Sequence, residues 1–364
     1  MNLNFLFLNT IRILLFPISL LYGLVVILRN WCFDKKLFAS ASFNLPLISV
    51  GNLAVGGTGK SPMVEFLIRK LQHQFTIAVL SRGYKRKTTG YALATKLSTA
   101  LEIGDEPMQF HKKFPELAMA VGERRLEAIP QLLHDCPDTQ AIILDDAFQH
   151  RAVKAGLNIL LTDYSNLFTR DWFLPTGDLR DQKNSYRRAE ILVVTKCEKD
   201  LSLKEQQDTL KEISPLPHQH AFFSYIDYGE PYHIVTREPL TIHSGIEVLL
   251  VTGIANPAPL KKYLDQRTQA YYEIDYSDHH IFSIDDLRAI SRRFNGITAK
   301  EKIILTTEKD AVRLIKFEQM LNGMPFYVVP IESGFLFKDE DRFTDLIVTF
   351  IREFKSQPQI RYGT

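Results

Sequence analysis

The sequence predicts an α/β fold: a P-loop nucleoside triphosphate hydrolase-like domain on a parallel sheet, a second, smaller α/β domain, and an N-terminal membrane-associated helix. Three observations carry this expectation. The apolar run 45–50 leads into a glycine-rich turn, 51–61 (GNLAVGGTGKS), and then a helical stretch. From there to about residue 200, short apolar runs alternate with helical patterns, as in strands joined by crossover helices. Residues 13–28 (ILLFPISLLYGLVVIL) carry no charge.

The turn has the chemistry of a phosphate grip. Gly56, Gly57 and Gly59 let backbone N–H groups face an anion closely, Lys60 brings a mobile positive charge, and the Ser61 hydroxyl suits Mg²⁺. Asn52 and Thr58 stand beside them as further nucleotide contacts. The pattern G-x-x-x-x-G-K-[ST] wants glycine where Ala54 stands, and Gly51 lies too early to replace it. A plain glycine-rich turn is the competing reading.

Downstream, the pattern predicts a helix over 62–71, a strand over 75–80 and a projecting loop or hairpin over 85–99. Helices are expected at 106–113 and 123–134, with strands at 117–121, 141–144, 157–161 and 191–195 and a loop at 172–181. Around 201–240 mixed aromatic and polar residues read as antiparallel strands. A second α/β set takes strands at 247–251, 271–274, 302–306 and 326–329 and a helix at 284–294. The expected division is 1–35 for the anchoring helix, 36–215 for the nucleotide domain, 216–353 for the smaller domain and 354–364 for a loose polar tail.

Bulk properties narrow the function. A formal charge of +2 makes no case for a nucleic-acid partner. Cys32, Cys136 and Cys197 are too scattered for a disulfide framework or a zinc cluster and fit a reducing compartment. The uncharged run is about 24 Å long as a helix, against about 30 Å of hydrocarbon; extended back to Phe5 it reaches about 36 Å. Arg29, Trp31, Lys35 and Lys36 border it and favour a cytoplasmic location for the rest of the chain. A signal peptide and a buried amphipathic helix are the alternatives, but no small-x-small cleavage site stands after Leu28. Pro17 and Gly23 interrupt the run and leave open whether it spans the bilayer or lies in one leaflet.

Asp145 and Asp146 end the apolar run 141–144, where phosphate-loop proteins place Mg²⁺ carboxylates; alternation sends the two to different sides. A turn aspartate is the plainer reading of either. By spacing alone Asp105 reads as a helix N-cap, and His279 and His280 as ordinary histidines. Arg82, Arg124, Arg125, Arg151 and Arg180 fall near strand ends, where open α/β sheets bind ligands, though any one of them also suits a solvated surface. A GTPase would want Asn-Lys-x-Asp after a late strand; Thr195-Lys196-Cys197-Glu198 departs from it.

In order along the chain stand SVGNLAVGGTGKSP (49–62), LSRGY (80–84), GDEP (104–107), VGERR (121–125), LDDAFQHR (144–151), LPTGDLRD (174–181), VTGIANP (251–257), DHHIF (278–282) and TTEKDAV (306–312). With the apolar N-terminal helix, this series resembles the tetraacyldisaccharide 4'-kinase family, the lipid A kinases of Gram-negative bacteria. The resemblance implies transfer of the ATP γ-phosphoryl group to the 4'-hydroxyl of an acylated glucosamine disaccharide 1-phosphate, giving lipid IVA at the cytoplasmic face of the bacterial inner membrane. It implies ATP and Mg²⁺, contact with membrane lipid, and no obligate protein partner. By the same resemblance Asp105 is the general base, paired with His279, while Lys60, Asp145, Asp146 and Arg180 act at the phosphates. Ser61, Asp145, Asp146 and Asp181 are the metal candidates. Asp181 stands where the family usually has glutamate, Ala147 where glycine is common, and Lys85 where glycine is frequent. A membrane-bound P-loop ATPase working with a protein partner is the alternative; a nucleotide-binding module without turnover is disfavoured by the intact charged set.

Overall fold

The structure, a computed structural model, describes residues 12–354; the proposed helix extension to Phe5 and the tail beyond 354 lie outside them. The main elements of the first half are α1 (Phe16–Asp34), β1 (Leu47–Asn52), α2 (Lys60–Leu71), β2 (Ile77–Ser81), β3 (Ala92–Leu93), α3 (Asp105–Lys113), β4 (Ala118–Val121), α4 (Arg125–Asp135), β5 (Ala141–Asp145), β6 (Leu157–Asp163) and β7 (Ile191–Thr195). The second half holds α5 (Leu203–Ile213), β8 (His220–Tyr228), β9 (Tyr232–His233), β10 (Glu247–Thr252), α6 (Ala258–Asp265), β11 (Ala270–Asp275), α7 (Ile284–Asn295), β12 (Lys302–Thr307), α8 (Glu308–Leu314), β13 (Phe326–Val329), β14 (Ile331–Phe335) and α9 (Glu340–Arg352).

Two sheets organise them. The larger runs β14-β8-β7-β6-β1-β5-β2-β4-β3 and is parallel except for its two edge strands. The smaller runs β11-β10-β12-β13-β9 and is parallel except for β9. Strands β1, β2, β5 and β7 are buried along their whole length, which is why they read as unbroken apolar runs rather than alternating ones. Helix α2 covers one face of the larger sheet with Met63, Val64, Leu67, Ile68 and Leu71.

The chain leaves the smaller domain again before it ends, which corrects the expected 216–353 boundary. Strand β8 pairs parallel with β7, β14 pairs antiparallel with β8, and Phe343, Ile347 and Ile351 of α9 join the core beneath α2. The smaller sheet therefore draws its strands from residues 232–329. Residues 203–213, expected as strand, form helix α5, whose N-cap Ser202 and Glu205 make a reciprocal capping box.

Helix α1 is the one described helix long and apolar enough to cross a membrane. One narrow stripe of it, Ser19, Gly23, Val26 and Asn30, is buried against the larger domain. Ser19 donates to the Thr176 hydroxyl at 2.7 Å, and a Cβ on Gly23 would meet the Phe173 ring at 2.7 Å. Leu20, Leu21, Leu24, Val25, Ile27, Leu28 and Trp31 face outward and exposed.

Candidate active site

At the carboxyl end of β1 the chain does not curl at once. Val55 N–H donates to Asp178 O at 2.7 Å, Arg180 N–H to Leu53 O at 2.8 Å, and Ala54 bridges Leu179. An extended segment stitched to 178–180 has no need of glycine at 54, so alanine serves there. The turn comes next: Gly59 caps α2 at φ +81°, a conformation that disfavours a side chain, and a Cβ at Gly56 or Gly57 would meet nothing within 4 Å. The loop thus leaves an open backbone cradle at the amino end of α2.

Four side chains gather beside it. Lys60 Nζ donates to Asn52 Oδ1 at 3.2 Å and stands 3.6 Å from Asp146. Arg180 donates to Asn52 Oδ1 at 2.6 Å and to both carboxylate oxygens of Asp146. Burial works against the charge on Asp146, but the Arg180 hydrogen bonds and the Lys60 ammonium outweigh it and hold the carboxyl near 2. Asp146 leaves β5 at φ +50°, while Asp145 points elsewhere and accepts from the Ser81 hydroxyl at 2.8 Å. Burial first, then the neighbouring Asp146, push Asp145 up to about 6. Asn52 Nδ2 and Thr58 Oγ1 are buried without a partner among the described residues. Orphaned polar atoms of this kind cost about 1–3 kcal/mol each unless a ligand satisfies them.

The second cluster lies between the domains. Gly104, at φ +96°, caps α3; a Cβ there would press to 3.2 Å on the backbone of Gly83 and Tyr84. Asp105 is therefore the first residue of the helix rather than its cap, and its carboxylate crosses to the smaller domain. Oδ2 accepts from His279 Nδ1 at 2.9 Å and from Arg313 Nε and a terminal nitrogen at 3.0 and 2.8 Å. Burial opposes ionisation of Asp105, and the hydrogen bonds and charge of Arg313, then those of His279, more than reverse this and lower its pKa. His279 lies in the loop before α7 at φ +63°, with Lys309 Nζ 3.3 Å from its Nε2. The adjacent His280 turns away, bonds Asp286 at 3.0 Å and stacks on Tyr276, which ties the loop down.

Other sequence candidates fall elsewhere. Asp181 is fully buried, and both its oxygens are taken: Oδ1 by Asn30 at 2.6 Å and Ser185 at 2.9 Å, Oδ2 by Arg188 at 2.9 Å. In this arrangement Asp181 joins α1 to the 181–188 segment, and its expected metal contact would require one of these bonds to break, as it would at Asp146. Arg125 is buried and braces strand ends through the carbonyls of Gly122 and Asp145. Arg151 holds Asn30 O and Asp34 at the end of α1, Arg124 pairs with Glu127 at the surface, and Arg82 is exposed. Of the five arginines, Arg180 reaches the phosphate cluster. Lys85 adopts φ +60°, a conformation in which glycine is the easier residue.

Sequence reasoning missed Arg313 and Lys309. The signal was present: they stand four apart on α8, hence on one face, and the motif TTEKDAV stops one residue short of the arginine.

A family model described as tetraacyldisaccharide-1-P 4'-kinase matches residues 11–352. A protein from Bacteroides thetaiotaomicron named tetraacyldisaccharide 4'-kinase is 44% identical over 353 residues, covering 93% of each chain. One of the same name from Flavobacterium johnsoniae is 44% identical over 346 residues, covering 95% of this chain and 98% of its own. Among solved structures, LpxK from Aquifex aeolicus in complex with ATP superposes with a TM-score of 0.72 at 25% identity, over 94% of this chain and 99% of that one.

Proposed function

The chain belongs to the tetraacyldisaccharide-1-P 4'-kinase family, and from that premise we propose how its two clusters divide the reaction. The activity is that of an ATP-dependent kinase of lipid A biosynthesis. The γ-phosphoryl group of ATP passes to the 4'-hydroxyl of tetraacyldisaccharide 1-phosphate, giving lipid IVA. The observation that carries the division of roles is the 2.9 Å contact of Asp105 with His279, in a chain that also holds the Asn52–Lys60–Asp146–Arg180 cluster.

Gly56, Gly57, Thr58 and Gly59 offer backbone donors to the phosphates, and Asn52, whose buried amide has no partner among the described residues, stands beside them, bonded to Lys60. Lys60 and Arg180 stabilise charge on the transferring oxygens, with Asp146 fixing both cations in place. Ser61, Asp145 and Asp146 would supply the hard oxygen ligands that suit Mg²⁺ once Asp145 turns from Ser81 and Asp146 frees an oxygen from Arg180, and the ion would neutralise phosphate charge. Asp105 takes the proton of the 4'-hydroxyl, oriented by His279. The acceptor oxygen forms its bond to Pγ as the bond from Pγ to the bridging oxygen breaks, and that electron pair leaves with ADP. No enzyme-phosphate intermediate is needed.

Helix α1 serves the acceptor, whose acyl chains stay in the bilayer because each buried CH₂ is worth about 0.8 kcal/mol. A helix fastened along one stripe to the kinase domain, apolar on its other sides, suits immersion in the near leaflet at the cytoplasmic face of the inner membrane.

The test is transfer from γ-labelled ATP to tetraacyldisaccharide 1-phosphate, with Mg²⁺, by the detergent-solubilised full chain. Label should appear in the lipid and be lost in D105A while ATP binding persists. Hydrolysis of ATP with no labelling of an intact acceptor would favour a membrane-bound ATPase that acts with a protein partner.

A further inference from the structure

We propose that Arg313 and Lys309, one turn apart on α8, are positioning residues for the acceptor base. From the smaller domain they fix which oxygen of Asp105 meets the substrate and which nitrogen of His279 carries the hydrogen. The inference rests on reading Asp105 as the base.

Three donors converge on Oδ2 of Asp105: two guanidinium nitrogens and His279 Nδ1, all within 3.0 Å. Among the described residues no side chain or backbone donor engages Oδ1, and the Asp105 side chain keeps 14% of its surface exposed. Oδ1 is thus the oxygen that receives the substrate proton. Arg313 is itself aimed before it reaches Asp105. It is buried, and its NH1 lies 3.3 Å from Asp310 Oδ1, while Asp310 Oδ2 accepts from Gly253 N–H at 3.0 Å and the Thr307 hydroxyl at 2.7 Å.

Lys309 reinforces the tautomer. The Asp105 carboxylate can only accept, so its 2.9 Å contact calls for a hydrogen on Nδ1; the Lys309 ammonium, a donor 3.3 Å from Nε2, favours Nε2 as acceptor against the pull of the Asp278 carboxylate 3.7 Å away. Nδ1 and the Arg313 nitrogen lie 3.1 Å apart because both converge on one oxygen. His279 is therefore a donor to the base, not the recipient of the substrate proton.

The two helices run past each other in opposite directions and are joined at both ends. Arg313 meets Asp105 at one end, and Glu308 meets Lys113 at 2.7 Å at the other. The base is complete only while the smaller domain is seated on α3.

The deciding experiment is the pH dependence of kcat for the full chain with ATP and lipid acceptor, in wild type, R313Q, R313K and D105N. The charged groups around Asp105 are Arg313 and His279 in contact, with Glu106 on its own helix and Asp278, Lys309 and Asp310 behind them. In R313Q the guanidinium charge that favours ionised Asp105 is gone, so the acid limb of kcat moves to higher pH. Plateau kcat falls about 10- to 100-fold, as expected for a misaimed reacting group, with KM for ATP unchanged. R313K, which keeps the charge but not the fork, keeps the acid limb near wild type at reduced rate. A folded R313Q with wild-type rate and acid limb overturns the proposal. If R313Q does not fold, R313K with full wild-type rate does the same. Lys309→Met should move hydrogen toward Nε2 in the ¹⁵N spectrum of His279; an unchanged tautomer contradicts the role of Lys309. Transfer that survives in D105N sinks the reading of Asp105 as base, whatever Arg313 does.

Discussion

At the phosphate end, Asn52, Lys60, Asp146 and Arg180 all belong to the larger domain and hold one another by hydrogen bonds and charge within it. At the base end, Asp105 comes from the larger domain, while His279, Lys309 and Arg313 come from the smaller one. The first cluster exists as soon as the larger sheet folds; the second exists when two domains meet. Nucleotide binding and base assembly should therefore be separable, with the acceptor's reactivity depending on domain seating and the donor's grip not.

Lys60→Ala should damage the phosphate end most. Loss of one preorganised cation at the transferring group costs about 10²- to 10³-fold in rate, and here ATP affinity falls with it. Equilibrium binding and single-turnover transfer read the two separately. Wild-type ATP affinity in K60A would remove the lysine from the donor site.

Asp181→Asn tests the scaffold between these ends and the membrane helix. It breaks the pair with Arg188 and weakens the link to Asn30. Fully buried pairs lose about 3–5 kcal/mol when one partner is removed; Arg188 keeps some exposure, so a stability loss of about 2–3 kcal/mol by denaturant unfolding is expected. The Mg²⁺ requirement of the remaining activity should not change. A stable D181N with a raised Mg²⁺ requirement would assign Asp181 to the metal.

The smallest effect lies at the far end of the domain contact. Glu65 of α2 is buried beside Lys113 at 2.7 Å; burial and the nearby Glu308 push its carboxyl up to about 7 from the usual 4.5. Between those values the folded protein holds a proton that the unfolded chain has released, so stability falls as pH rises through that window and stays lower above it. Glu65→Gln should flatten this slope in thermal unfolding from pH 4.5 to 7. A slope equal to wild type would assign it to other groups.

The same contrast explains what the sequence makes legible. The phosphate loop is an eleven-residue signal, 51–61, and its fully buried strands announce themselves as apolar runs. The base contacts join residues 174 and 208 positions apart, which no local pattern carries. Residue spacing alone favours a cap for Asp105 and an ordinary role for His279; only the ordered family motifs pair them. The domain boundary is misplaced for a related reason. Strand β8 and helix α9 return to the larger core through Phe222 and Phe343, a tertiary choice between two sheets of the same kind. Helix α5 is readable after all, since Ser202 and Glu205 have capping-box spacing.

The most direct measurement is His279→Ala, with ATP Kd by calorimetry and single-turnover labelling of tetraacyldisaccharide 1-phosphate made on one preparation. Two independent half-sites predict an ATP Kd within about twofold of wild type and a transfer rate lower by about 10²-fold, the scale of general acid–base support. A parallel loss of ATP affinity and rate would contradict the account, because it would make the domain contact part of the nucleotide site itself.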